Sequence, residues 1–397
     1  MNIKINKVKA IKTAICIISV CISAVTAFFF SDAVSELAAE LILKSAKTYL
    51  PGNVPELNLR QKEPATADTS PSQEETTSAG KSVTTSAVTT TTPPATTEKA
   101  VKETVAALKF NRTDEDILAL ISSAEKKAKK DKKDGSISEY TYKNDGVTDK
   151  YGLVRVKNVN EKTDIDIKKL LETDVELTVK KDEPSVLIFH THTTETYQIL
   201  DRDFYATGHP TRSNDSKINM VRVGEEIVEE IESSGYTVIH DKEIHDSTYN
   251  TAYADSRKKV ESILKKYPSI KIVLDIHRDA IQRSDGTKIK PVATVDEKKA
   301  AQIMIISGCQ EEGGPVKNFP NWKKNLVFAV ELQNTLEELF EGITRPLYFS
   351  PRKYNMDLTD CSLLVEVGSD ANTLDEAVYT GRCIGKAVSR ILEKYEE

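Results

Sequence analysis

Residues 186–197 read Val-Leu-Ile-Phe-His-Thr-His-Thr-Thr-Glu-Thr-Tyr. Four strand-forming apolar residues end at once in two histidines and then a glutamate, His190, His192 and Glu195. So short an apolar run, bounded by polar residues, reads as a buried strand meeting solvent at its far end. Strand ends are where α/β sheets carry ligands and chemistry. The His192-x-x-Glu195 spacing lets an imidazole and a carboxylate converge on one cation.

Downstream the pattern alternates. Residues 219–233 place Val221, Val223, Ile227, Val228 and Ile231 at helical spacing beside Glu225, Glu226, Glu229 and Glu230, and Gly235 follows where a helix stops. Residues 236–239 read as a strand, 254–266 as a helix ended by Pro268, and 270–276 as an apolar strand that runs into His277-Arg278-Asp279. Strands at 304–307 and 362–367, a helix at 324–340 and a closing helix at 373–393, broken near Gly381, complete the series. Alternation on this scale predicts an α/β fold, a central mixed sheet with helices on both faces. The expected α/β domain spans 184–397, and 111–183 forms an N-terminal extension packed on it, with a strand near 152–156 and helical turns near 165–171.

The first third is different in kind. The chain has 397 residues and is 39% hydrophobic, below the globular norm of roughly 45–50%. The deficit gathers before residue 110. Lys4, Lys7, Lys9 and Lys12 precede an uncharged apolar run of 18 residues, 13–30, about the length of a membrane-crossing helix. A basic flank stays in the cytoplasm, so the rest is expected outside a cell membrane crossed once. A cleaved signal peptide ending near Ala27 is the competing reading, and Phe28, Phe29 and Phe30 argue for the uncleaved anchor over 1–31. Residues 32–110 follow as a short amphipathic helix and a Thr/Ser/Pro-rich stretch too polar to bury a core, a flexible tether.

Charge and cysteines exclude other classes. A net charge of -6, Lys+Arg 55 against Asp+Glu 61, gives no footprint for nucleic acid. The Lys126–Lys130 region is read as a solvated helix end. Five scattered cysteines without a C-x-x-C pair indicate neither a thiolate metal site nor a disulfide framework.

Chemistry collects at three strand ends: His190, His192 and Glu195 at the first, His277 at a later one, and Glu366 in the last, within Leu-Leu-Val-Glu-Val-Gly. Two imidazoles and a carboxylate are the ligand set of a catalytic zinc with one position left for water. Such a metal makes water a nucleophile near neutral pH, and a second carboxylate moves the proton to the leaving amine. Glu366, between apolar neighbours, suits that role. His190 and His192 lie two apart and, as strand residues, point the same way, so they compete for one ligand position. Spacing to Glu195 favours His192 and leaves His190 to orient a ligand or meet substrate. Arg278 either holds a substrate carboxylate or oxyanion, or pairs with Asp279; Arg345 and Arg352 are further candidates for the carboxylate. His209, His240 and His245 read as ordinary surface or packing histidines, and Asn219 as a helix cap.

Five motifs in order resemble the stage II sporulation protein P family: the opening stretch, Asn-Met-Val-Arg-Val-Gly at 219–224, Val-Ile-His-Asp-Lys-Glu-Ile-His-Asp at 238–246, Asp-Ile-His-Arg-Asp-Ala at 275–280 and Leu-Val-Glu-Val-Gly-Ser at 364–369. The resemblance covers about 165–391 and extends to the anchor-and-tether layout. It implies a zinc-dependent peptidoglycan hydrolase related to the N-acetylmuramoyl-L-alanine amidases, with a phosphorylase/hydrolase-like, carboxypeptidase-like α/β fold. It further implies cleavage of both the stem-peptide amide and peptide cross-links at the sporulation septum and engulfing membrane. The implied partners are stage II sporulation proteins D and M. Carried onto this chain, His192, Glu195 and His277 are the metal ligands and Glu366 the catalytic carboxylate. The alternative from another class is a wall-binding scaffold that keeps the fold without catalysis.

Overall fold

Among the residues that the computed structural model describes, 110–397 apart from 129, 161 and 207, the chain opens with α1 (Glu115–Ala128), β1 (Lys133–Tyr140), β2 (Asp149–Tyr151), β3 (Val154–Asn158), α2 (Ile167–Leu171) and β4 (Pro184–Phe189). It continues through β5 (Phe204–Ala206), α3 (Met220–Ser233), β6 (Thr237–His240), α4 (Ala252–Lys266), β7 (Ile272–Asp279), β8 (Lys288–Val295) and β9 (Lys298–Ala301). The rest holds β10 (Ile303–Gly308), α5 (Trp322–Leu339), β11 (Leu347–Ser350), β12 (Cys361–Ser369) and α6 (Leu374–Lys394). The expected anchor, the short amphipathic helix and the tether lie outside the described residues. No helix among the described residues is long and apolar enough to cross a membrane.

The apolar run at 186–189 forms β4 in the interior of an eight-stranded sheet ordered β2-β3-β11-β10-β12-β7-β4-β6. Its neighbours β6 and β7 run parallel to it, β12 runs parallel to β7, and β10 reverses direction against β12. The sheet is therefore mixed, and the carboxyl ends of β4, β7 and β12 point the same way. Both faces are covered. Val186, Ile188, Ile272, Leu274 and Val365 pack with α3, α5 and α6 on one side, while Leu187, Phe189 and Val273 meet Val260, Ile263 and Leu264 of α4 on the other. Burial on both faces is why these strands are unbroken apolar runs rather than alternating ones.

Two departures from the sequence reading are instructive. Helix α6 is continuous from Leu374 to Lys394, not broken at Gly381. A capping box between Thr373 and Glu376 starts it. Its glycines serve close approach instead: a Cβ on Gly385 would lie 2.6 Å from Glu230 Cβ and 2.7 Å from the Ile227 carbonyl oxygen of α3. The second departure is a four-stranded sheet, β5-β1-β8-β9, that the sequence pattern did not suggest. Strand β1 is polar except for buried Ile137, so no hydrophobic period marks it.

The stretch before residue 184 is knitted into the fold by sheet and charge. Strand β3 pairs with β11 and β1 with β8. Asp114 accepts from Arg222 at 2.7 Å and from Arg382 at 2.5 Å, and Glu226 accepts from Arg382 at 2.5 Å. Arg382 also donates to the carbonyl oxygens of Phe110 and Arg112, at 3.0 and 2.8 Å. Residues 110–114 are thereby fastened to α3 and α6 through buried charge-assisted bonds.

Candidate active site

Strand β4 stops at Phe189, and residues 191–194 turn. The turn is pinned by threonines. Thr193 Oγ1 donates to the His190 carbonyl at 2.7 Å, and Thr194 Oγ1 donates to Asp246 Oδ2 at 2.6 Å. Because the chain is no longer a strand here, the alternation that would aim His190 and His192 alike does not apply. His190 faces the interior, with Nδ1 3.0 Å from the Ile276 carbonyl and Nε2 2.9 Å from His240 Nε2. His192 turns instead to His277, ring centroids 5.3 Å apart, and stacks face to face on Tyr249 at 4.8 Å.

Glu195, 7% exposed, reaches the same place. Its Oε2 lies 3.8 Å from His277 Nδ1 and accepts from the Arg278 backbone N–H at 3.3 Å. Glu366 sits beside His277 in register across the parallel β12–β7 pair, so the two side chains share a face. Register then slips before Ser369, where Gly368 adopts φ +61°. Such a bulge is a common way to aim a side chain next to a site. The structure thus brings His192, Glu195, His277 and Glu366 together at the carboxyl ends of three parallel strands, and it leaves His190 behind them.

Electrostatics divides the four. Burial holds His192 down to about 4, with the nearby charges of His277 and Arg212 adding to the effect. Burial also works against charge on His277, but Asp275, Glu195 and Glu366 outweigh it and push the group up to about 9. Burial raises Glu195, against Arg278, His277 and Arg212. Glu366 is pushed up to about 8 by burial, a rise that His277 opposes and Asp279 and Glu195 reinforce. Perturbation of neighbouring acids and bases in opposite directions is common where chemistry is done. Three buried atoms here make no hydrogen bond: His192 Nδ1, His277 Nε2 and Glu366 Oε2.

The arginines differ from both expectations for Arg278. Its guanidinium spends its donors on backbone carbonyls, Thr196 at 2.6 Å and Thr211 at 2.8 Å, and so ties the loop to β7. The Asp279 carboxylate pairs with Arg345 instead, at 2.9 Å, and Arg352 meets the Tyr354 hydroxyl. Sequence reasoning did not single out Arg212, Asp246, Tyr249 or Tyr253. Arg212 pairs with Asp246 and lies 3.4 Å from Glu195 Oε1, and Tyr253 stacks near His277 at 6.4 Å. No local spacing links these residues to the histidines; only the fold does. His245 is bound to Asp241 at 2.8 Å, His209 to the Tyr197 carbonyl at 2.7 Å, and Asn219 caps α3.

Other features compete for attention and are explained otherwise. Among the described residues, Glu139, Asp201 and Glu376 offer ligand atoms all within 4.8 Å of one another, a tighter set than His192, Glu195 and His277. Lys290 Nζ already lies among them, 2.6 Å from Glu376, 2.6 Å from Asp201 and 3.1 Å from Glu139. An ammonium therefore fills the place a metal would take. A cavity of about 570 Å³ between Arg155, Asp296 and Leu339 contains none of the four candidate side chains.

A family model and a curated relative match this chain. The family model described as Stage II sporulation protein P (SpoIIP) matches residues 55–389. Stage II sporulation protein P of Bacillus subtilis (strain 168) is 30% identical over 207 residues, 49% of this chain and 48% of that protein. The chain thus spans about half the length of this curated relative. Among solved structures, the CwlD amidase from Clostridioides difficile, in complex with the GerS lipoprotein, is 16% identical with a TM-score of 0.34, over 53% of this chain and 98% of that one. The N-acetylmuramoyl-L-alanine amidase AmiC2 of Nostoc punctiforme is 12% identical with a TM-score of 0.32, over 53% and 96%.

Proposed function

The chain belongs to the stage II sporulation protein P family, and from that premise we propose that it is a zinc-dependent peptidoglycan hydrolase of sporulation. The bonds cut are the N-acetylmuramoyl-L-alanine amide and peptide cross-links. One observation carries the reading: two imidazoles and two carboxylates from three separate strand ends converge on one place.

The donor set fits zinc. The His192 and His277 imidazoles, the latter with Nδ1 3.8 Å from Glu195 Oε2, would hold the ion together with the Glu195 carboxylate. Bound there, zinc would supply an acidified water and polarise the scissile carbonyl. Glu366 does the proton work. Its Oε2 is buried without a partner, and its raised affinity for a proton suits a base that accepts from water and donates to the leaving amine. Arg278 keeps the Glu195 loop against β7, so that the carboxylate is held by fixed backbone rather than by a free rotamer. Tyr249 and Tyr253 wall the two histidines and limit how they turn.

Around this centre we place a single-pass anchor in residues 1–31, a domain outside the cytoplasm, and partnership with stage II sporulation proteins D and M. The basic flank and apolar run of 13–30 support the anchor, and the family match supports the partnership. The scaffold alternative has no observation in its favour, since a plausible residue stands at each of the four positions. The test is elemental analysis of the full chain together with mass spectrometry of digested wall. Glu195→Ala and His277→Ala are expected to lose both zinc and release of stem peptides. Glu366→Gln should keep the metal and lose turnover by about 100-fold or more. Full activity and unchanged metal in Glu195→Ala would refute the site.

A further inference from the structure

Asp275 has no part in the chemistry above, yet it is 1% exposed and sits two residues before His277 on β7, on the same face. An ionised carboxylate in the middle of a buried sheet is costly unless other groups hold it. Thr191 holds it twice, the backbone N–H donating to Oδ1 at 2.8 Å and the hydroxyl to Oδ2 at 2.7 Å. The same threonine hydroxyl meets Ser256 Oγ at 2.9 Å, so the clamp is itself braced by α4. His277 Nε2 stands 2.8 Å from Asp275 Oδ1, within reach of a hydrogen bond though not aligned as a straight one. The other ring nitrogen, Nδ1, is the one near Glu195. The imidazole is thus divided, one nitrogen toward a fixed anion and one toward the cleft.

We propose that Asp275 is a positioning residue that orients His277 and fixes its tautomer, Nε2 carrying the proton and Nδ1 presented to a divalent transition-metal cation. The inference rests on the metal reading of the site given above. Carboxylates behind ligating histidines commonly set ring orientation and ligand basicity. His192 is held differently. Its Nδ1 is 3.9 Å from Asp246 Oδ2, beyond bonding distance, and Asp246 is taken up by Arg212 and Thr194, so stacking on Tyr249 fixes that ring. Thr191 directly precedes His192 in sequence. The turn that delivers His192 therefore also locks the anion behind His277, coupling the two ligands mechanically.

The experiment uses the full chain stripped of metal and titrated with Zn²⁺ against a chromophoric chelator, with Co²⁺ as a spectroscopic probe. Asp275→Asn is expected to weaken Zn²⁺ binding about 10- to 100-fold and to shift the visible bands of the Co²⁺ form. Thr191→Val, which keeps shape and the backbone donor, should move both readouts in the same direction by less, and it decides the matter if the aspartate variant does not fold. Unchanged Zn²⁺ affinity and an unchanged Co²⁺ spectrum in folded variants would overturn the proposal, whatever their thermal stability. If the parent chain itself binds no zinc, the metal reading fails and takes this inference with it. If the parent binds zinc and digests wall while both variants match it, only the role of Asp275 fails.

Discussion

Replacing Lys290 with methionine should unmask how much the fold depends on one buried ammonium. Lys290 is 1% exposed, and its closest buried partner is Glu376, 3% exposed and 2.6 Å away. Asp201 and Glu139 are exposed and also bind Lys299, so their share is small. Removing one member of a buried pair typically costs about 3–5 kcal/mol, because the partner's charge is stranded. The lower end applies, since Glu376 keeps donors from Asn372 at 2.9 Å and the Thr373 backbone at 3.0 Å. With roughly 2.1 cal/mol/K of unfolding entropy per residue over about 290 residues, near 0.6 kcal/mol/K in all, a loss of about 3 kcal/mol lowers Tm by about 5 °C. The pH arm gives the sign. Burial already raises Glu376 above the ordinary carboxylate value against the pull of Lys290, and losing the lysine raises it further. An acid whose folded pKa exceeds its unfolded value stabilises the fold when protonated, so the deficit should be largest near pH 8 and shrink toward pH 5. Thermal unfolding followed by circular dichroism at both pH values measures this, and Lys290→Met/Glu376→Gln should recover most of the loss. A single variant that melts within 1 °C of the parent at pH 8, or a deficit equal at both pH values, refutes the reasoning.

Two more expectations concern the packing and the histidines. Gly385→Ala places a methyl 2.6 Å from Glu230 Cβ, so chemical denaturation should show a loss of about 1–3 kcal/mol from overpacking; a neutral result would mean that α3 and α6 separate freely. Burial lowers His190 to about 4 and, first among its causes, lowers His240 to about 2, so both stay neutral in the fold but gain protons when unfolded. Their stabilisation is complete above the unfolded pKa of about 6.5 and is lost as pH falls from there toward about 4 for His190 and about 2 for His240. His240→Gln should flatten that acid limb in a plot of stability against pH, and an unchanged slope counts against it.

What could be read in the sequence was what packing writes into local pattern. Strands β4, β7, β10 and β12 and helices α3, α4 and α5 lie within a few residues of their expected limits, because a strand buried on both faces or a helix with one buried stripe must show it. Strand β1 carries no such mark, since its partners β5 and β8 demand backbone bonds rather than apolar side chains. The four candidate side chains were legible for another reason, as polar groups placed where a strand has no packing use for them. Their environment was not legible. The direction of His190 depends on where β4 stops, the donors of Arg278 go to carbonyls of a loop 67 to 82 residues distant, and Arg345 reaches Asp279 across 66 residues. Gly381 misled because a helix breaker and a helix–helix contact point are the same residue in sequence.

The clamp at residues 110–114 has a mechanical side. Tension transmitted along the chain from before Phe110 arrives first at the carbonyls held by Arg382 and at the Asp114 carboxylate. Helices α3 and α6 are joined to each other there as well, through Glu226 and Arg382, and both reach Asp114. His277 on β7 and His192 in the turn after β4 take no part in those bonds. The first described residues are thus tied to helices α3 and α6 rather than to the strand ends where the histidines gather.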